Sequence, residues 1–132
     1  MTAARVRHLL LAAVAACAFA SASAASASPQ DAAKDEIDHL LQYVAASSCT
    51  FVRNGAEYPA AKARDHLETK YRFVGGRITT AEDFIKYLAT GSSVSGAPYH
   101  VRCGHTDQLS GAWLTAELGR YRSQPRLQNV AR

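Results

Sequence analysis

The 132-residue sequence is short of cysteine, proline and long apolar runs: it holds three Cys and four Pro, and its longest uncharged apolar stretch, Leu9 to Ala20, covers twelve residues. A bilayer-spanning helix needs about 20 apolar residues, so this stretch does not read as a permanent anchor. At 20% charged and 48% hydrophobic residues, the composition fits neither a coiled coil, a collagen nor a disordered tail, and the length accommodates one domain. Acidic residues are absent before Asp31, whereas Arg5 and Arg7 precede it; removing those two arginines from the net charge of +4 leaves +2 for the rest of the chain. That balance is too small and too evenly spread for the basic stripe of a nucleic-acid binder. No internal repeat is visible.

What the N-terminus does contain is a basic start (Arg5, Arg7, His8), the apolar run, and a small-residue stretch from Ser21 to Ser28. These are the three parts of a secretory signal. Ala25-Ser26-Ala27 offers small residues for cleavage, which gives a leader over residues 1–27, and Ala22-Ser23-Ala24 fits nearly as well. A rival reading takes Val14-Ala15-Ala16-Cys17 as a lipobox, with Cys17 lipidated and the following residues as a tether. Both readings export the protein, to the periplasm or beyond. Cys49 and Cys103 then remain, and in an oxidising compartment they are expected to bridge. The alternative is two buried free thiols.

Beyond the leader, residues 28–122 read as a single α+β domain, with about four helices packed on a short two-stranded antiparallel hairpin, and residues 123–132 as a flexible tail. Ser28-Pro29-Gln30-Asp31 starts the first helix as a capping box, and Ile37, Leu40, Leu41 and Val44 form its buried stripe up to Ser47-Ser48. The second helix runs roughly from Ala60 to Val74 and stops at Gly75-Gly76; the third is capped by Thr79 or Thr80 and extends to Gly91. Ser110 is expected to cap the last helix, through Trp113, Leu114, Leu118 and Tyr121. The strand candidates are Cys49 to Arg53, entering an Asn54-Gly55 turn, and Tyr99 to Cys103. One antiparallel register sets Cys49 opposite Cys103, Phe51 opposite Val101 and Arg53 opposite Tyr99, all on the core face.

That register suggests a site. His66 and Lys70, four apart on the second helix, flank the stripe that must cover the sheet. The loop Ser92-Ser93-Val94-Ser95-Gly96 leads into Tyr99. Arg53, Asn54, His66, Lys70, Ser93, Ser95 and Tyr99 are therefore expected around one pocket, with Gly55, Ser92 and Gly96 in its loops, suited to a small anion or polar group. Glu57 or Asp65 could instead neutralise the cations. Metal binding by His100, Cys103 and His105 matches no zinc spacing, and a bridged Cys103 cannot ligate. The serine loop lacks the Gly-x-Ser-x-Gly elbow after a strand.

Five segments, in this order, carry a more specific signal: Phe51-Val52-Arg53-Asn54-Gly55; His66-Leu67 with Lys70; Thr80-Ala81-Glu82 with Phe84-Ile85; Ser92-Ser93 with Ser95-Gly96; and Pro98-Tyr99. Over about residues 36 to 103 the chain resembles the YfeK-like family of small exported bacterial proteins. The resemblance implies an exported single domain with the Arg-Asn-Gly, His-Leu and Ser-Ser-x-Ser-Gly segments as its signature, and it implies no known activity.

Two function classes follow. One is a non-catalytic module binding a small polar or anionic ligand, an envelope component or a protein partner, without a cofactor. The other is a small serine hydrolase pairing the Ser92 to Ser95 loop with His66, which demands a His66 contact to a loop hydroxyl and a carboxylate behind it. The leader reading generates its own test. Cells fed a palmitate analogue should leave the protein unlabelled; label that disappears in Cys17→Ser would establish the lipobox instead.

Overall fold

Ser28 caps the first helix as its spacing to Asp31 requires: its Oγ accepts from the Asp31 N–H at 3.1 Å, while the Asp31 carboxylate accepts from the Ser28 N–H. The computed structural model describes residues 22, 23 and 25–125; most of the segment expected to be a leader, Cys17 included, and residues 126–132 lie outside the described residues. Helix α1 (Pro29–Ala46) leads into strands β1 (Thr50–Arg53) and β2 (Ala56–Pro59) and helix α2 (Ala60–Val74). A short 3₁₀ turn (Gly75–Arg77) precedes α3 (Ala81–Phe84), which widens into a π-helical segment over Ile85–Ala89. Strands β3 (His100–Cys103) and β4 (Thr106–Leu109) and helix α4 (Ser110–Ser123) complete the fold. Among the described residues no helix is long and apolar enough to cross a membrane.

The α+β class holds, but the sheet is larger than a two-stranded hairpin. Four antiparallel strands lie in the order β2-β1-β3-β4. The expected partners β1 and β3 do pair, with Thr50 opposite Arg102, Phe51 opposite Val101 and Val52 opposite His100. Each also forms its own hairpin with the strand that follows it. Asn54 (φ 50°) and Gly55 (φ 78°) both take positive φ, as the two-residue turn joining β1 to β2 demands. Gly104 (φ 62°) does so between β3 and β4.

The hairpins and the helices that follow them are related by an offset of 50 residues: β1, β2 and the start of α2 fall on β3, β4 and the start of α4, and the hairpin registers match. The chain is thus a doubled helix-hairpin-helix unit joined along β1 and β3. Over residues 50–73 and 100–123 only Tyr71/Tyr121 and Arg72/Arg122 coincide, which is why no repeat shows in the sequence.

The core lies between the helices and one face of the sheet, with Ile37, Leu40, Val44, Phe84, Val101 and Leu114 fully buried. Trp113 packs at a tilt against Tyr43, ring centroids 4.5 Å apart, and meets Phe51 edge-on at 5.6 Å. On the other face Arg102 pairs with Glu57 of β2 and Asp107 of β4. Of the two caps offered for the third helix, Thr80 accepts from the Asp83 N–H at 3.0 Å. Ser110, expected as a cap, is instead the first residue of α4 and is buried; Leu109 holds the cap position without a side-chain bond, and the Ser110 N–H donates to the Tyr99 carbonyl at 2.9 Å.

Cys49 and Cys103 form a disulfide with Cα atoms 4.4 Å apart, the spacing of a directly opposed pair in this register. It ties the first half to the second across a separation of 54 residues. The double variant Cys49→Ser/Cys103→Ser should lose about 2–4 kcal/mol in urea unfolding; an unchanged midpoint would deny the bridge its structural role.

Candidate functional site

Arg53 ends β1 immediately before the Asn54-Gly55 turn, and Tyr99 precedes β3, so the β1–β3 register continued by one residue sets them side by side. His66, on the adjoining face of α2, bridges them. Its Nδ1 lies 2.5 Å from Arg53 Nη1 and its Nε2 lies 3.3 Å from Tyr99 Oη. A guanidinium only donates, so Nδ1 accepts and the neutral imidazole carries its proton on Nε2, facing the phenol. The guanidinium also sits 4.6 Å above the Tyr58 ring, a cation–π contact that holds it in place.

These groups surround a cleft of about 30 Å³. Arg53, His66 and Tyr99 line it together with Tyr58, Lys62 and Ser110, and Phe51, Val52, Ala63 and Leu67 supply apolar wall. Burial pushes the His66 pKa below its usual 6.5, and the Arg53 and Lys70 charges push it further in the same direction. Lys70 is lowered by burial and by Arg53, and burial raises Tyr99. All three shifts describe a partly desolvated region of uncompensated positive charge. The acids that could have neutralised it are engaged elsewhere, Glu57 with Arg102 and Asp65 with Arg64. Among the described residues, Arg53, Lys62 and Lys70 form no ion pair with a carboxylate.

The other residues singled out in the sequence lie near the cleft without lining it. Lys70 donates to the carbonyls of Leu88 at 2.7 Å and Gly91 at 3.3 Å, closing the end of the π-helical segment, and reaches Tyr99 Oη at 3.5 Å. It is neither a solvated lysine nor a wall of the cleft; it acts on the site through Tyr99. Ser95 Oγ donates to Asn54 Oδ1 at 2.8 Å, fastening the serine loop to the β1–β2 turn. Ser92 Oγ accepts from the N–H groups of Val94 and Ser95, a local turn. Ser93 is exposed, and Gly55 and Gly96 serve as positive-φ turn residues.

Lys62 was not singled out, although its place four residues before His66 puts it on the same helix stripe as His66 and Lys70. Tyr58 and Ser110 carried no such signal. Among the described residues the serine-hydrolase geometry is not formed: His66 meets Arg53 and Tyr99 rather than a loop hydroxyl, and no carboxylate there orients it. His100 bonds Asp107 and Cys103 is bridged, so the three candidate metal ligands do not converge. Wider grooves of about 510 and 480 Å³ lie beside α4 and between α1 and α2. What the small cleft offers chemically is a set of fixed donors.

Comparison with known proteins agrees with the resemblance seen in the sequence. Residues 31–122 match a family of unknown function, DUF5329. The uncharacterised protein YfeK of Salmonella typhimurium is 46% identical over 50 residues, which is 38% of this chain and 42% of that protein. The aligned part thus spans less than half the length of that relative. No solved structure matches the chain. With its hairpin, cleft and serine loop all inside the matched span, the chain belongs to the YfeK-like family of unknown function, DUF5329.

Proposed function

We infer that the protein is an exported, single-domain binding module whose Arg53–His66–Tyr99 cleft receives the anionic group of a small ligand. One observation carries this reading: Arg53 and Lys62 line one cleft, and Lys70 stands behind its Tyr99, with no carboxylate partner for any of the three among the described residues. Mutual repulsion of partly solvated cations a few ångströms apart costs on the order of 1 kcal/mol. A fold that maintains that cost gains most simply by offering the charge to a ligand. Arg53 is already placed by His66 and Tyr58, so little side-chain freedom remains to be lost on binding. Export is supported by the leader pattern and by the disulfide, which suits an oxidising compartment.

Arg53→Ala separates a binding role from a structural one. Lys70 does not serve, because truncating it removes a carbonyl cap whatever its role. In calorimetry of the purified protein with sulfate, Arg53→Ala should weaken binding about tenfold or more, the scale of one charged hydrogen bond. Its melting temperature without ligand should hold or rise. Failure of the unmodified protein to bind either sulfate or a short carboxylate, or a loss of about 2 kcal/mol or more in the variant, would overturn the reading.

His66 gives the pH dependence its sign. The folded chain prefers the neutral imidazole, so its contribution to stability is full above pH 6.5 and is lost as pH falls through the lowered folded value. An anion seated among the cations raises that value, so binding takes up a proton. Sulfate affinity should therefore be higher at pH 5.5 than at pH 7.5, and His66→Gln should flatten the difference; equal affinity at both values would contradict the assignment.

A further inference from the structure

We propose that the group received is a carboxylate whose neighbouring carbon bears a methyl-sized apolar substituent, a chemistry shared by short alkyl acids and by peptides ending in alanine. This rests on the anion reading above and narrows it. The cleft is divided into an apolar and a cationic part. Phe51 and Leu67, both buried, line it with Ala63, while Arg53 is half-buried and Lys62 exposed, so positive charge lies on the more exposed side of an apolar recess. A phosphate or sulfate presents oxygens in every direction, and those turned to Phe51, Ala63 and Leu67 would lose their hydrogen bonds, which is costly when buried. A carboxylate has oxygens on one side only and carbon on the other. It can meet the Arg53 guanidinium as a two-oxygen acceptor and place its own carbon substituent in the recess.

The recess is also narrow, with about 30 Å³ of space open to water-sized groups. A methyl fits the recess, whereas a long alkyl chain or an aromatic ring does not.

The doubled architecture supplies a counterpart to the cleft. The position related to Ala63 by the 50-residue offset is Trp113, whose indole packs on Tyr43 and Phe51. The positions related to Arg53 and Tyr99 are Cys103 and Cys49, which are bridged. One junction of hairpin and helix is therefore filled by an indole and closed by a disulfide. Its counterpart has a small side chain, cations on its more exposed side and an open recess.

The test is a calorimetric series on the purified protein with acetate, propionate, valerate and sulfate, and with N-acetylglycine, N-acetylalanine and N-acetylleucine. Propionate should bind about tenfold tighter than acetate, the scale of one methyl in an apolar pocket, and tighter than sulfate and valerate. N-acetylalanine should likewise exceed its glycine and leucine counterparts if a peptide terminus is the source, and propionate alone should respond if a free acid is; either pattern supports the shared chemistry. Ala63→Leu should remove the preference for propionate over acetate. Sulfate binding as tightly as propionate overturns this proposal and leaves the anion reading standing. Binding of none of these probes overturns both. Should Ala63→Leu fold poorly, the series on the unmodified protein decides alone.

Discussion

The antiparallel pairing of β1 with β3 is the constraint on which the rest of the molecule depends. Phe51 opposite Val101 is its centre, and the two αββα halves meet there. Because side chains alternate across a strand, this single register decides at once which residues face the helices, which cysteines can bridge and which polar groups meet at the far end. A slip of one residue would turn Phe51 and Val101 outward and separate Cys49 from Cys103. The ionic ties among the helices reinforce the arrangement. Arg122 of α4 grips both carboxylate oxygens of Glu36 on α1 and also reaches Glu82 on α3.

Doubling of the unit makes the two ends of that central pair comparable, and they differ in kind. One end holds a covalent bridge and a packed indole, the usual means by which a small domain secures a limited core. The other holds Arg53, His66, Tyr99 and Lys70 in contact with one another, their charge unmatched by any acid among the described residues. Stability alone would favour an indole or an aliphatic pair at both ends. The unmatched end is where structure and stability part, and that is the physical reason to read it as the site.

Much of this was legible in the residues because the relevant signals are local or pairwise. Ser28 with Asp31 fixes a helix start through one capping box, Gly75 ends α2 through its backbone freedom, and two cysteines on short β-branched segments allow one register. The edge strands were not legible. Ala56–Pro59 and Thr106–Leu109 contain Ala, Glu, Pro, Asp and Gln, and they are held by backbone bonds to β1 and β3 rather than by an apolar pattern. Asn54-Gly55 announced a hairpin whose second strand had no side-chain signature of its own. Lys70 illustrates a different limit. Helical spacing brought it near His66, but only the π-helical end of the third helix, which no periodicity announces, turns carbonyls toward it. Tyr58 and Ser110 enter the cleft for the same reason, through elements whose positions are set by the tertiary fold.

The most direct test of the account is the nuclear magnetic resonance titration of the His66 imidazole, alone and with saturating propionate or sulfate. The account predicts a neutral ring protonated on Nε2, with a midpoint below the ordinary 6.5 that climbs when an anion is present. A midpoint that neither anion moves would contradict the claim that the Arg53–His66–Tyr99 cleft exists to receive negative charge.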